Sequence, residues 1–313
     1  MEMSELRPSL AIFDPPRPAP ELGRVASDQD YAVCRLIMRN ASKNYSSASN
    51  YLPSRLRRHI EALYALMRIG DDRVDVSSAG FASRLDGIDD WERSYWQAFE
   101  RLESPNPVMR AYLDTALRFG IPPGTMSAYF RAMREDLTIT RFPTFDHLLE
   151  YMSGSAIPVG RAMTCILGVR LPFTLDQAIP GADSLSIAMQ LSNFWRDIGE
   201  DWTIGRVYLP QADMDRFGVT EGDLETRRID SRWIDLLEFQ FQRTESYYRH
   251  AQESVRMLAS GRWAVMTALQ IYRAILDDIR AHGYDVFSRR AAASAPRKLA
   301  LALQSFLKLG SVR

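Results

Sequence analysis

Two aspartate pairs, each spaced i,i+4, carry the chemistry legible in this sequence. The stretch Gln190 to Asp201 reads QLSNFWRDIGED. On a helix turning about 100° per residue, Gln190, Asn193, Asp197 and Asp201 fall on one line, with Glu200 beside it. Leu185, Ile187, Ala188, Leu191, Phe194, Trp195, Ile198 and Trp202 occupy the rest of the circumference. A solvated helix has a broad polar half, and this one is apolar nearly all round, so its carboxylates are expected to point into an enclosed space. Buried carboxylates need cations or hydrogen-bond donors.

The second pair stands in RIGDDRVD, Arg68 to Asp75, where Asp71 and Asp75 are four apart and Arg68 and Asp72 share their side. Ala62, Leu63, Ala65, Leu66 and Ile69 form the apolar body of that helix. A lone DxxxD is usually a solvated acidic face. Two of them on apolar rods, facing across a cavity, would form two clusters of hard oxygen ligands suited to Mg²⁺ and phosphate oxygens. Basic residues on the same lines are too few to neutralise them as a simple salt network. Metal-bound diphosphate is a good leaving group, and the apolar walls would hold a hydrocarbon chain, so the pattern points to ionisation of a prenyl diphosphate.

The elements that must position these residues are helices. From Asp30 onward 3.6-residue periodicity dominates: Tyr31 to Met38, then a helix from Leu52 or Pro53 through ALYALMRIGDDRVD. SPNP near Pro105, GIPPG at Gly120 to Gly124, FPT at Pro143, LPFT at Pro172 and IPG at Pro180 are expected helix ends, with Thr144 and Thr174 as N-caps. Two long amphipathic helices follow, about Ser231 to Leu258 and Trp263 to His282, and a last helix begins near Arg297. No convincing alternating strand and no internal repeat appear. The expected organisation is a tail over residues 1–28, with PPRPAP at Pro15 to Pro20 barring regular structure, and one all-α domain over 29–313 with its helices around a central cavity.

Composition narrows the classes. The 39 basic and 39 acidic residues balance, so no global field attracts nucleic acid or an anionic membrane. Cys34 and Cys165 form no CxxC site or disulfide framework, and His59, His147, His250 and His282 have no zinc-site spacing. No secretory pattern and no run of about 18 apolar residues is present, which leads us to expect a cytoplasmic protein. Greasy substrates make peripheral membrane contact compatible with this reading. Oligomeric state is not encoded in any pattern seen.

With these residues in view, the sequence resembles the squalene/phytoene synthase family. YALMRIGDDRVD (Tyr64 to Asp75) is similar to the family's first aspartate-rich motif, and QLSNFWRDIGEDWTIGRVYLP (Gln190 to Pro210) to its second, more specific one. SKNYSSASNYLP at Ser42, YMSGSAIPVG at Tyr151 and YRAILDDIRAHGYDVFSRR at Tyr272 also agree, so the likeness runs from about residue 40 to 300. It implies the isoprenoid-synthase α-fold and head-to-head condensation of farnesyl, geranylgeranyl or presqualene diphosphate to a C30 or C40 product. By the same resemblance, Asp71, Asp75, Asp197 and Asp201 would bind several Mg²⁺ ions, with Asp72 and Glu200 as neighbours. Arg68, Arg206, Tyr208 and Arg290 would hold diphosphate oxygens, Ser42 the donor's phosphates, and Gln190 and Asn193 the second diphosphate. Tyr151 and Tyr272 would face the reacting carbons.

Two stretches depart from the family pattern. Ser42-Lys43-Asn44-Tyr45 replaces S-x-S-F, losing one hydroxyl, and SAIPVG replaces V-A-G-T-V-G, which makes Ile157 and Pro158 the first place to look for chain-length control. NFWRD, DWTIGRVYLP and SAIPVGR look closer to the hydroxysqualene-forming branch, although Arg196 stands where Gln is usual there. NADPH is not indicated, since no GxGxxG fingerprint occurs, and it is not excluded either. Two rival readings stay open: a terpene cyclase acting on one prenyl diphosphate, and a non-catalytic family member serving as an assembly or binding scaffold, which would be expected to have lost these aspartates.

Overall fold

The structure, a computed structural model, describes residues 25–41, 52–75 and 80–310; the side chains of Asp75 and residues 308–310 lie outside that description. Ser42, the expected donor-phosphate ligand, also lies outside it, as do residues 1–24. Among the described residues the regular structure is helical, joined by two isolated bridges, Arg141 with Val207 and Val169 with Leu258.

The Val25 amide donates to Asp114 and Ala26 is buried, so residues 25 and 26 are packed against the helices. Helix α1 (Asp28–Ala41) is fixed through Asp30, whose carboxylate accepts from Ser27 and from Arg110 at 2.5 Å. Helix α2 (Ser54–Asp75) carries the first aspartates. Helix α3 (Arg84–Arg101) starts at the Ser83 cap, and α4 (Pro107–Phe119) at Asn106, with proline in its first turn and Gly120 in the left-handed C-cap conformation. SPNP and GIPPG therefore act as the ends their residues encode.

A 3₁₀ turn (Pro123–Met126) leads into α5 (Ser127–Glu135). Helix α6 (Phe145–Ser155) is capped by Thr144 and is separated from α7 (Ile157–Leu167) by Ala156, whose φ of −123° and ψ of −47° break the helix; Pro158 sits in the first turn of α7.

Helix α8 (Leu175–Thr203) opens on a capping box between Thr174 and Gln177. Here the expected end at Pro180 is wrong. The helix continues through it, because a proline this early removes only the bond to the Asp176 carbonyl, and the packing of α8 outweighs the roughly 3 kcal/mol an interior proline costs. Short helices α9 (Gln211–Phe217) and α10 (Glu221–Glu225) precede α11 (Ser231–Val255) and α12 (Arg262–Ala281). The last is α13 (Ala295–Gly310).

Two apolar cores form. One gathers Tyr31, Leu63, Leu66, Trp91, Tyr95 and Phe130 from α1 to α5, and the other Leu148, Leu191, Trp195, Trp233, Phe241 and Leu276 from α6, α8, α11 and α12. A cavity of about 450 Å³ lies between them, walled by α2, α7, α8, α11 and α12.

Candidate active site

The cavity is apolar over most of its wall, through side chains such as Leu63, Val159, Met163, Leu185 and Val255. Its charged and amide lining comes from Arg68 and Asp71 on α2 and from Gln190 and Asn193 on α8. The stripe on α8 reaches the cavity because its other faces are buried: Ile187, Ala188, Leu191, Phe194, Trp195 and Ile198 all pack into the second core.

Asp71 is approached by the Tyr129 hydroxyl, which lies 3.3 Å from its Oδ1 and donates to the Met67 carbonyl at 2.8 Å. Gly70 makes room for that ring, since a Cβ there would lie 2.0 Å from the hydroxyl oxygen. Arg68 pairs with Asp72 at 2.5 Å, and this partner outweighs the burial that opposes its charge. Among the described residues, the buried Asn193 Oδ1 and Ser155 Oγ have no hydrogen-bond partner. Both residues line the cavity. An unsatisfied buried polar atom is costly, so both leave hydrogen-bonding capacity open to a ligand or water in the cavity.

Farther along α8 the carboxylates are not bare. Asp197 is clasped by Arg196 at 2.5 Å and by Arg290 at 2.8 and 2.9 Å, and Arg290 also reaches within 3.6 Å of Glu200. This corrects the expectation that basic partners are too few: the arginines come from a neighbouring position and from a segment 93 residues away, neither of which lies on the acidic line. Burial would raise the Asp197 carboxyl, but the two guanidinium groups hold it below the ordinary range. Asp201 takes the opposite course. Burial first, then the charge of Asp197, push it up to about 7, against the pull of Arg206.

Arg206 joins two loops to this end of α8. Its amide donates to the Asp201 carbonyl at 2.8 Å and its guanidinium to the Asp136 carbonyl at 2.9 Å. The Asp136 carboxylate in turn accepts from the buried Tyr151 hydroxyl at 2.7 Å. Tyr208 stacks on Phe194 with ring centres 3.9 Å apart, and Phe142 and Tyr151 complete the aromatic group.

The expected site is thus divided. Arg68, Asp71, Gln190 and Asn193 share the cavity wall, while Asp197, Glu200 and Asp201 near the end of α8, with Arg206 and Tyr208 after it and Arg290 after α12, form a second polar group off that wall. Tyr151 and Tyr272 are not on the cavity wall, and Tyr272 packs against the second core. Ile157 and Pro158 are not on it either; their neighbours Ala156, Val159 and Gly160 are. Among the described residues no three Asp, Glu, His or Cys side chains converge as a ready-made metal site.

A family model for squalene/phytoene synthase matches residues 38–297. The chain belongs to that family. Within the family it is 34% identical over 306 residues to a 15-cis-phytoene synthase of Synechocystis, covering 95% of this chain and 90% of the relative. It is 35% identical to a phytoene synthase of Arthrospira platensis over 86% of this chain and 90% of that one. Among solved structures, a dehydrosqualene synthase bound to a ligand superposes with a TM-score of 0.81 at 28% identity, over 91% of this chain and 98% of the other. A squalene synthase from Alicyclobacillus acidocaldarius gives 0.74 at 28% identity, over 82% and 95%. The fold of this family member is that of these isoprenoid synthases.

Four site residues of this family member escaped the sequence reading: Tyr129, Asp136, Arg196 and Ser155. Gly70 carried a usable signal for the first, because a glycine inside a helix beside a functional aspartate marks a close approach. Ser155 opens the SAIPVG stretch that departs from the family pattern, and Arg196 stands within NFWRD, while Asp136 stands in no pattern that sets it apart.

Proposed function

We propose that this chain joins two geranylgeranyl diphosphates head to head into a C40 phytoene-type hydrocarbon, with Mg²⁺ as cofactor. It is a prenyltransferase of the squalene/phytoene synthase type, and this reaction class yields C30 or C40 products. The observation that carries the assignment is the cavity: one long apolar chamber with Arg68, Asp71, Gln190 and Asn193 gathered on its wall. On α8 its lining runs from Ala178 to Asn193, which is about 22 Å of helix rise. An extended geranylgeranyl chain is roughly 20 Å long and a farnesyl chain roughly 15 Å, from ordinary carbon–carbon bond lengths. The phytoene synthases named above favour the C20 substrate, and we prefer it to the hydroxysqualene-type reading that NFWRD and SAIPVGR suggested.

The residues fit a hard divalent cation. The donors are carboxylates, and Asp201 is raised by burial first and then by the negative charge of Asp197, which a cation would relieve. Asp71, Asp75, Asp197 and Asp201 would hold Mg²⁺, with Asp72 and Glu200 beside them; bound there, the metal supplies charge stabilisation to the departing diphosphate. Arg68, Arg206 and Arg290 donate to diphosphate oxygens, and for Arg290 this means exchanging its bond to Asp197 for the ligand. Gln190 and Asn193 orient the second diphosphate, the Asn193 acceptor gaining the partner it lacks. Ser42 and Tyr208 are assigned to the phosphates and Tyr272 to the reacting carbons on the family resemblance. Tyr151 is assigned to the reacting carbons on the family resemblance; held by Asp136 and packed beside the Phe194–Tyr208 stack, its ring lies off the cavity wall, and the dry apolar wall itself keeps water from a carbocation. The protein acts in the cytoplasm.

The test is mass spectrometry of products after Mg²⁺ is added with farnesyl, geranylgeranyl or presqualene diphosphate in separate reactions. A C40 hydrocarbon from geranylgeranyl diphosphate is expected. A cyclic product from one substrate would establish the cyclase reading instead, and no C30 or C40 product from any of the three would refute the assignment. Parallel reactions with NADPH read the final step, since hydride quenching leaves a product richer by two hydrogens. Asp71→Ala and Asp197→Ala that fold normally yet keep full cellular function would point to a scaffold.

A further inference from the structure

Among the described residues, Ser155 Oγ and Asn193 Oδ1 are buried polar atoms on the cavity wall that have no hydrogen-bond partner. Other hydroxyls on that wall are satisfied by their own helices. Thr164 donates to the Gly160 carbonyl at 2.8 Å and Ser186 to the Ala182 carbonyl at 3.0 Å. Ser155 makes no such bond. It ends α6 just before the break at Ala156, and its neighbours on the wall, Ala156, Val159 and Gly160, carry no hydrogen-bonding side chain. Two desolvated polar atoms on an otherwise apolar wall call for a partner that enters the cavity.

Register brings the two atoms near one another. Helices α7 and α8 are joined by the short turn 168–174 and pack side by side, which makes them antiparallel. Arg161 holds Asp183 through two bonds, at 2.9 and 2.7 Å, and Gly160 lies against Ser186 and the Ala182 carbonyl. Counting back across Ala156 at the same rise on both helices puts Ser155 level with about Met189, one turn short of Asn193. Each Cα–Cβ bond tilts toward the N-terminus of its own helix. Across an antiparallel pair Ser155 therefore leans toward Asn193 and Asn193 leans back, which narrows the roughly 6 Å of rise between them.

The chemistry of the pair selects the group that fits. A hydroxyl has a hydrogen to give, and an amide oxygen accepts one. A cation would satisfy the amide oxygen and leave the hydroxyl hydrogen, and a diphosphate oxygen would do the reverse. Water does both, accepting from Ser155 and donating to Asn193, and keeps a hydrogen and a lone pair for the substrate side.

We propose that Ser155 and Asn193 hold one water in the chamber, and that Ser155, through this water, positions the acceptor of the proton whose loss ends the reaction. The role rests on the prenyl diphosphate reading, in which Gln190 and Asn193 orient a diphosphate. A carbon next to the cationic centre gives up its proton, and the electron pair of that C–H bond becomes the new double bond. The proton passes to the water, which hands one of its own hydrogens to an oxygen of the released diphosphate. Water is regenerated and no reductant is consumed.

Crystals of the full chain grown with Mg²⁺ and inorganic diphosphate test the site without turnover. One ordered water within hydrogen-bond reach of both Ser155 Oγ and the Asn193 amide is expected, and its absence overturns the proposal. Turnover of geranylgeranyl diphosphate tests the role. Ser155→Ala should keep the wild-type circular dichroism and a KM within about twofold, while kcat for the hydrocarbon falls by about tenfold and double-bond isomers and alcohols appear in its place. Ser155→Thr, which keeps the hydroxyl, should restore the wild-type product. Unchanged kcat and product in Ser155→Ala overturn the proposal. So does a wild-type product that is an alcohol carrying labelled oxygen from the solvent, because the water is then consumed by addition. A wild-type chain that turns over no prenyl diphosphate overturns the underlying reading and the proton role together, and the lack of any product tells that failure apart from the others.

Discussion

Asp201 is the residue at which the resting protein is least comfortable. Its carboxyl is held at about 7, above its ordinary 3.8. An acid raised in this way binds its proton more tightly in the folded state, so stability falls as pH rises from the unfolded pKa towards about 7 and the full cost persists above that. Thermal melts of the metal-free chain should therefore show a melting temperature that declines between about pH 4 and 7, and Asp201→Asn should remove most of that slope. Asp197, held low by Arg196 and Arg290, contributes in the opposite sense and at lower pH, so it does not mask the effect. Mg²⁺ added at the alkaline end should raise the wild-type melting temperature more than at the acid end, since the carboxylate is ionised there. A flat wild-type profile would show that burial and the Asp197 charge do not raise Asp201. Tyr151 gives a second check: Tyr151→Phe removes the bond to Asp136 while keeping the ring. Because the ring packs beside Phe194 and Tyr208, turnover should fall by less than about tenfold in Tyr151→Phe, while Tyr151→Ala should lose far more, through the aromatic stack and a cavity.

Helix contacts decide how the aspartates are presented. Replacing an interior helical glycine by alanine ordinarily stabilises by up to about 1 kcal/mol. At Gly70 the sign should reverse. The added Cβ would lie 2.0 Å from the Tyr129 hydroxyl, whose ring is buried and bonded to Met67, so Gly70→Ala should destabilise by about 1–3 kcal/mol and loosen Asp71. Chemical denaturation reads the first effect and metal-dependent turnover the second. Gly181→Ala should behave alike where α8 crosses α11, because its Cβ would fall 2.2 Å from the Ser254 Cβ. Much of this scaffold was legible in the sequence. Thr144 and Thr174 cap helices because their hydroxyls reach backbone amides three residues on, and the single polar line on α8 announces an enclosed face. Pro180 misled because a breaker is judged locally, whereas the helix is kept by contacts with residues far along the chain. For the same reason Arg290 on Asp197 could not be read from spacing: a segment 93 residues away brings the charge, and no periodicity records that.

At the scale of the molecule the two cores act as jaws around one long chamber, and its length should set the product. Ile157 and Pro158, singled out by their departure from the family pattern, stand at the helix break but off the cavity wall, so they shape the chamber only through Ala156, Val159 and Gly160. The direct determinants are the small residues on the wall away from Arg68 and Asp71: Ala178, Gly181 and Ala182 on α8, and Ala264 and Ala268 on α12. Small side chains leave depth that larger ones would fill. Ala182→Phe adds a ring about eleven residues before Asn193, which shortens the usable lining on α8 to roughly 16 Å, enough for a C15 chain and too short for an extended C20 chain. With geranylgeranyl and farnesyl diphosphates supplied together, the wild-type chain should yield mainly C40 hydrocarbon and Ala182→Phe mainly C30, while Mg²⁺ dependence, set at the other end of the chamber, stays the same. Ile157→Gly, by contrast, should move the ratio little. If Ile157→Gly shifts chain length and Ala182→Phe does not, the ruler lies at the α6–α7 break and the depth of the chamber is not what measures the substrate.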